Sequence, residues 1–363
     1  MYEGMPTQQT GSFSMTVVSI GSAFESMGNA DNGYQSATFD KFVGSLEGFR
    51  SRVEAQYAGA VYPEGTSLAG KPFDPANGTV NTYSPEVMIP AFLSAYAGGG
   101  SSLDIFPSLK RLLPNWSVTY SGLAKLPGMK KVFKSFNINH SYRSVYAVGS
   151  YNTYSTYIEY MNGLGFTQDV ASGNPIPSGP YDVSTVSINE QFSPLVGVDM
   201  TFLNNLTAKV EYRKARVLTL SMTSQQLTET RSNDLVIGMG YKINNLKLFA
   251  PRRKTSRRRR RTNQDQQSQQ TASTGFSNDL NLRFDITFRD QSAVNRDILS
   301  LLSQATSGNR AVQVSFTADY ALSRLLTLSA YYDRQMNKPL LTSSSYPTTT
   351  QDFGISLKFS LTR

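Results

Sequence analysis

Nine charged residues fall at alternate positions of segments whose other positions are apolar: Arg143, Lys209, Glu211, Arg213, Arg283, Asp285, Arg289, Asp319 and Lys358. A strand points successive side chains to opposite faces, so residues of one parity stay together. Such a line can form an electrostatic lining of a lumen. It is also what any water-filled barrel needs of its inward wall, and the alternation alone favours that plainer reading. A second charged feature is the run PRRKTSRRRRR at 251–261, a basic loop patch of Arg252, Arg253, Lys254, Arg257, Arg258, Arg259, Arg260 and Arg261. It can bind phosphate on lipopolysaccharide, lipid headgroups or nucleic acid, dock an acidic partner, or stay a solvated loop. No aromatics interleave the arginines, so nucleic acid is the least favoured partner and none is expected.

Enzyme chemistry finds little to work with. Cysteine is absent, which excludes disulfides, thiolate metal sites and cysteine nucleophiles. His140 is the single histidine, which excludes His-rich metal clusters. It sits between Ile138 and Tyr142 with no Ser, Cys or Asp constellation and reads as an ordinary wall residue. Glu229 and Asp234 are near one another without other features of an active site. Gly98-Gly99-Gly100 lacks the Gly-Lys-Ser/Thr and strand–loop–helix context of a phosphate cradle. The expectation is a protein without catalytic residues, cofactor or metal.

The elements that carry the nine charges are strands. Ten segments alternate: 11–20, 115–124, 133–149, 185–203, 206–224, 233–243, 279–289, 311–322, 325–335 and the C-terminal stretch around 353–361. The clearest places Leu280, Leu282, Phe284, Ile286 and Phe288 opposite Asn281, Arg283, Asp285, Thr287 and Arg289. One greasy wall and one polar wall suit lipid on one side and water on the other. Hydrophobic residues make up 39% of the 363, and no apolar run approaches the roughly 18 residues of a helical span. Twenty Tyr and 20 Phe against one Trp fit strands and interfacial girdles. The net charge of +9 belongs to the arginine run, without which 27 basic residues face 26 acidic ones.

The links sort by length. Asn204-Asn205, Ser323-Arg324 and 125–131, which contains Pro127-Gly128, read as short turns, whereas 21–114, 150–183, 291–310 and 336–350 read as long. Bacterial barrels use short periplasmic turns and long outer loops, and a periplasmic C-terminal end puts all three short turns on that side. One link breaks the rule: 244–278 would be periplasmic yet is long, basic and rich in Gln, Ser and Thr, a composition that predicts disorder. Phe39, Phe42, Val43, Leu46, Phe49 and Val53 recur at helical spacing, and Ser84-Pro85 reads as an N-cap before VMIPAFLSAY, with Pro90 kinking or ending that helix. Ile298, Leu301 and Leu302 hint at a third short helix. The resulting division is a first strand at 1–20, an extracellular insertion with short helices at 21–114, barrel strands at 115–243, the basic loop at 244–278 and C-terminal barrel strands at 279–363.

Several of these segments together resemble the C-terminal part of the SprA/Sov family. That family is the outer-membrane translocon of the Bacteroidetes type 9 secretion system, also associated with gliding motility. The resemblance is carried by VMIPAFLSAY at 87–96, LPNWSVTYSGL at 113–123, FNINHSYRSVYAVGSY at 136–151, EQFSPLVGVDMTF at 190–202, LTAKVEYRKAR at 206–216, DLNLRFDITFRD at 279–290 and YPTTTQDFGISLKFSLTR at 346–363. It implies an all-β fold: an antiparallel transmembrane β-barrel, of which this chain is the C-terminal segment, the whole barrel being of the largest class, about 36 strands. It implies a protein-export pore in the bacterial outer membrane that passes folded cargo. Its implied partners are outer-membrane lipid, cargo proteins with a C-terminal secretion signal, a cargo-collecting outer-membrane shuttle protein and a periplasmic plug protein. The segment 21–114 is then expected to cap or gate the mouth. Residues 1–11 are polar and lack a signal-peptide core, which fits the C-terminal piece of a longer precursor or argues against a barrel. Two rivals stay open: a self-contained porin or solute-transport barrel, and a soluble all-β binding module.

Overall fold

The computed structural model describes residues 9–98, 100, 102–107, 114–161, 163–169, 172–246, 278–323, 325–341 and 346–360. Ten strands form one antiparallel sheet, and each overlaps one of the ten alternating segments. In chain order they are β1 (Thr10–Thr16), β2 (Trp116–Tyr120), β3 (Phe133–Thr153), β7 (Tyr181–Phe202), β8 (Leu206–Ser221), β9 (Gln226–Ile243), β10 (Leu280–Asp297), β11 (Ser303–Ala321), β12 (Leu326–Pro339) and β13 (Thr348–Phe359). Between β3 and β7 the strands β4 (Ile158–Met161), β5 (Leu164–Gln168) and β6 (Pro175–Ser178) make a separate small sheet. The large sheet runs β1-β3-β7-β8-β9-β10-β11-β12-β13, with β2 also on β3.

The first two strands share one position. Thr16 pairs with Val145 and Trp116 with Tyr142, both antiparallel to β3, so β1 lines the upper half of β3 and β2 its lower half. Residues 17–115 are therefore an insertion within a single interrupted edge strand. This corrects the expectation of two separate strands joined by an outer loop.

Several links are shorter than expected. β10 and β11 extend to Asp297 and from Ser303, so the expected long link 291–310 is a tight hairpin around 298–302, and no third helix forms there. Asp297 holds the turn by accepting hydrogen bonds from the Leu299 and Ser300 amides at 3.0 and 2.7 Å. The link between β12 and β13 is 340–347 rather than 336–350. Asn205, at φ 65°, makes the tight turn between β7 and β8, because Asn tolerates the left-handed region. Arg324, most of 244–278 and the whole arginine run lie outside the described residues, but Leu246 donates to the Asn278 carbonyl at 2.8 Å and pairs the roots of that loop.

Within the insertion, α1 (Ile20–Ala23), α2 (Ala37–Ala55) and α3 (Pro85–Ala97) are helical. The Ser36 hydroxyl caps α2 by accepting from the Phe39 amide, and Phe39, Phe42, Leu46, Phe49 and Val53 form its buried stripe. Pro85 sits in the first turn of α3, where its missing N–H costs nothing. Pro90 does not end that helix, which runs on to Ala97 and stops at Gly98 with φ 60°. Phe42 meets Phe92 edge-on at 6.1 Å, and this aromatic core continues onto Tyr146, Val148, Val186, Ile188, Leu218 and Leu220 of the sheet. The small sheet adds Phe166, which packs on Tyr57 at 5.4 Å and Tyr62 at 5.3 Å.

Candidate functional site

Register sorts every strand of the sheet into the same two faces. One face carries Ile138, Val198, Val210, Ile237, Ile286, Val314 and their same-parity neighbours. Below mid-height it is apolar on every strand, from Val118 and Tyr120 on β2 to Phe353, Ile355, Leu357 and Phe359 on β13. Much of it is uncovered: Val196, Met239, Phe288 and Phe316 are all exposed, and Ile355 is 76% exposed. Phe202, Tyr241 and Phe359 end the band at the bottom of their strands, as in an interfacial girdle.

A single row of paired residues closes the band at the top. Trp116, Tyr142, Phe192, Lys214, Asn233, Asp290, Arg310 and Lys338 stand opposite one another in unbroken register from β2 to β12. The first three stack, with Trp116–Tyr142 at 4.6 Å and Tyr142–Phe192 at 4.9 Å between centroids. On the last two strands the polar boundary steps down to Arg334 and Gln351, which pair with each other. From Leu280 to Phe288 the band spans eight residue steps, about 27 Å along the strand. At a tilt of about 40° that is about 21 Å of height, comparable to the ~25 Å apolar band of an outer-membrane barrel. β7 has 22 residues and β3 has 21, twice the length a crossing needs, so their upper halves project beyond the band.

Above the row, the same face is covered by the insertion as far as β10. Three buried sheet arginines grip its first segment by backbone carbonyls. Arg216 donates to Ser22 at 2.7 Å and Ser19 at 3.3 Å, Arg296 donates to Met27 at 2.9 Å and to Tyr34, and Arg231 donates to Glu25. Two buried glutamates balance them. Glu190 pairs with Arg216 at 2.9 Å, and Glu229 pairs with Arg231 at 2.5 Å and Arg296 at 3.3 Å. Ser19 and Tyr142 hydroxyls donate to Glu190 at 2.7 and 2.8 Å. These contacts offset a desolvation cost of several kcal/mol per buried ion, although the Nε atoms of Arg216 and Arg296 have no hydrogen-bond partner among the described residues. The insertion therefore packs against one face of the sheet. These five residues were absent from the sequence candidates. Their signal was available: Arg216 shares parity with Leu206, Ala208, Val210 and Tyr212, so it is a charge on the greasy side.

The opposite face is polar, and register puts all nine charged candidates on it. Glu211 sits between Lys209, at 2.7 Å, and Arg213. Arg283 meets Asp285 at 2.6 Å, and Arg289 reaches across strands to Asp234 at 3.0 Å. Asp319 accepts from Ser329 at 2.5 Å. Arg143 and Lys358 make no ion pair among the described residues. A depression of about 540 Å³ lies on this face, lined by Asn137, Asp199, Lys209, Arg213, Arg283 and Asp285 among others. Glycines make its floor: a Cβ on Gly238 would stand 2.8 Å from the Asp285 carboxylate, and one on Gly240 2.6 Å from the Thr207 hydroxyl.

The remaining sequence features separate. Glu229 and Asp234 lie on opposite faces of β9, Glu229 paired with Arg231 and Arg296 and Asp234 with Arg289. His140 lies on the apolar face between Trp116 and Phe192, and its Nδ1 is 2.7 Å from the Leu195 carbonyl. No group of three metal-ligating side chains exists among the described residues. Gly98 and Gly100 lie at the C-terminal end of α3; Gly99 and the basic patch at 252–261 lie outside the described residues.

No family model and no curated protein matches the chain. The described chain is mostly antiparallel β-sheet, and among the described residues no helix is long and apolar enough to cross a membrane.

Proposed function

We propose that this chain is a non-catalytic, wall-forming segment of an outer-membrane β-barrel. The carrying observation is the eight-residue row from Trp116 to Lys338, below which one face carries an uncovered apolar band and above which the insertion sheathes that face as far as β10. A soluble sheet buries its apolar face along the whole strand, whereas a contiguous uncovered apolar band across nine strand positions calls for lipid. Aromatic residues at both limits of the band suit the two membrane interfaces. The opposite face, with its paired charges, lines the water-filled side. Edges in lipid leave backbone groups unsatisfied, so β1/β2 and β13 require closure by further strands.

The resemblance to the SprA/Sov family extends this reading to a protein-export pore of type 9 secretion, passing folded cargo and working with a cargo-collecting shuttle protein and a periplasmic plug. The sequence carries no Gly-Lys-Ser/Thr phosphate loop, and on this reading the energy for export comes from outside this segment. Two experiments divide the reading. The chain mixed with phosphatidylcholine vesicles floats with them and shows heat-modifiable migration in detergent; a chain that stays in solution, folded without detergent, contradicts the barrel. Cells lacking residues 115–363 retain cargo bearing the C-terminal secretion signal; unimpaired export contradicts the translocon role.

A further inference from the structure

The helical insertion covers the upper face of the sheet as far as β10, where Arg296 and Ser292 contact Met27. β11 and β12 carry no such cover, and three cations lie there on the apolar-face parity: Arg310, Arg334 and Lys338. Arg310 and Lys338 are directly opposite each other in the polar row, and both are exposed. Arg334 is four residues before Lys338 on β12, at the lowered edge of the band, with Met336 between them. One carboxylate answers them. Asp290 accepts from the Arg310 Nε at 3.2 Å. Arg334 and Lys338 make no ion pair among the described residues, and the Arg334 Nε is a buried donor without a hydrogen-bond partner.

We propose that Arg310, Arg334 and Lys338 bind the phosphate of an anionic lipid headgroup on the outside of the wall. The inference rests on the barrel reading, which makes this face the lipid side. Three features fit the ligand. The cations sit where the apolar band stops, the level at which headgroups lie. Val312, Val314 and Met336 share their face, so that long stems can hold the charges at that level while their methylenes stay in the apolar zone. Guanidinium forks match phosphate oxygens in a way that a lone ammonium does not. Asp290 orients Arg310 and leaves a net positive site for an anion.

The test uses the full chain purified in a neutral detergent and radiolabelled diphosphoryl lipid A as the probe. Wild-type chain retains the lipid, and retention weakens with added salt. The triple variant Arg310→Gln, Arg334→Gln, Lys338→Gln binds it more weakly by about fivefold per cation removed, on the order of a hundredfold in all. The double variant Arg310→Lys, Arg334→Lys keeps most of the binding, which separates lost charge from lost fold. Equal retention by the triple variant, equal retention of dephosphorylated lipid A, or displacement by inorganic phosphate at like concentration overturns the site. Flotation with pure phosphatidylcholine vesicles separates the two levels. A chain that floats but ignores phosphate loses only this inference, and a chain that does not float loses the barrel as well.

Discussion

Arg216 on β8 meets Glu190 on β7 at 2.9 Å, and each side chain is only 1% exposed. The pair lies two residues above the row that ends the apolar band, where the sheet exchanges an uncovered face for one covered by its own insertion. Removing one partner strands the other as a buried charge. Arg216→Met is expected to cost about 3–5 kcal/mol, while the double variant Arg216→Met, Glu190→Leu recovers most of it. Chemical unfolding in detergent of the wild type, Arg216→Met, Glu190→Leu and the double variant checks this through a double-mutant cycle. Loss in the single variant also frees the Ser19 and Ser22 carbonyls, so limited proteolysis should cut first near residues 19–34.

Glu86, in the first turn of α3, gives the insertion a pH dependence. Its Oε1 accepts from the Gly179 amide at 3.2 Å, and burial holds its carboxyl above the ordinary value of 4.5. The folded state therefore binds this proton more tightly than the unfolded state does. Stability from this group is full below pH 4.5 and falls as the pH rises through the folded-state value. Glu86→Gln keeps the acceptor and removes the titration. Thermal melting of the helical signal should fall with rising pH in the wild type and stay flatter in the variant, which is the more stable of the two at neutral pH. Parallel curves would contradict the assignment.

Neighbouring positions on one strand should respond oppositely to charge. Phe316 lies in the apolar band and Thr317 on the polar face. In lipid, Phe316→Arg costs about 2–4 kcal/mol near mid-band, whereas Thr317→Arg is close to neutral. The heat-modifiable fraction in vesicles reads the difference.

Much of the fold was legible because alternation reports which parity meets apolar surroundings. Leu280 to Phe288 and Leu206 to Tyr212 are of this kind, and so is the helical stripe from Phe39 to Val53. The pattern failed where the surroundings changed along one strand. Residues 290–297 read as loop because Asp290, Ser292 and Arg296 occupy the parity that Phe288 and Ile286 had made apolar. That parity remains intact, but above the row it meets carbonyls of the insertion rather than an apolar phase. The union of β1 and β2 into one edge position was invisible, since the two are separated by residues 17–115 and periodicity carries no information about pairing across such a gap. The short strands β4 to β6 hold four or five residues each, too few for a periodic signal. The nine polar-face charges were legible from parity alone, but the buried Arg216, Glu190, Glu229, Arg231 and Arg296 needed the insertion to be seen lying over them.

The most direct measurement places nitroxide labels on adjacent residues, each through one introduced cysteine in a chain that has none. Ile237, Phe316 and Ile355 represent the apolar band, and Val236, Thr317 and Ser356 the polar face. In outer-membrane vesicles the first three should collide with dissolved oxygen and be shielded from a water-soluble nickel chelate, and the second three should show the reverse. Labels at Ile237, Phe316 and Ile355 that are shielded from both relaxers would mean packed protein against the band, and would contradict a lipid-facing wall.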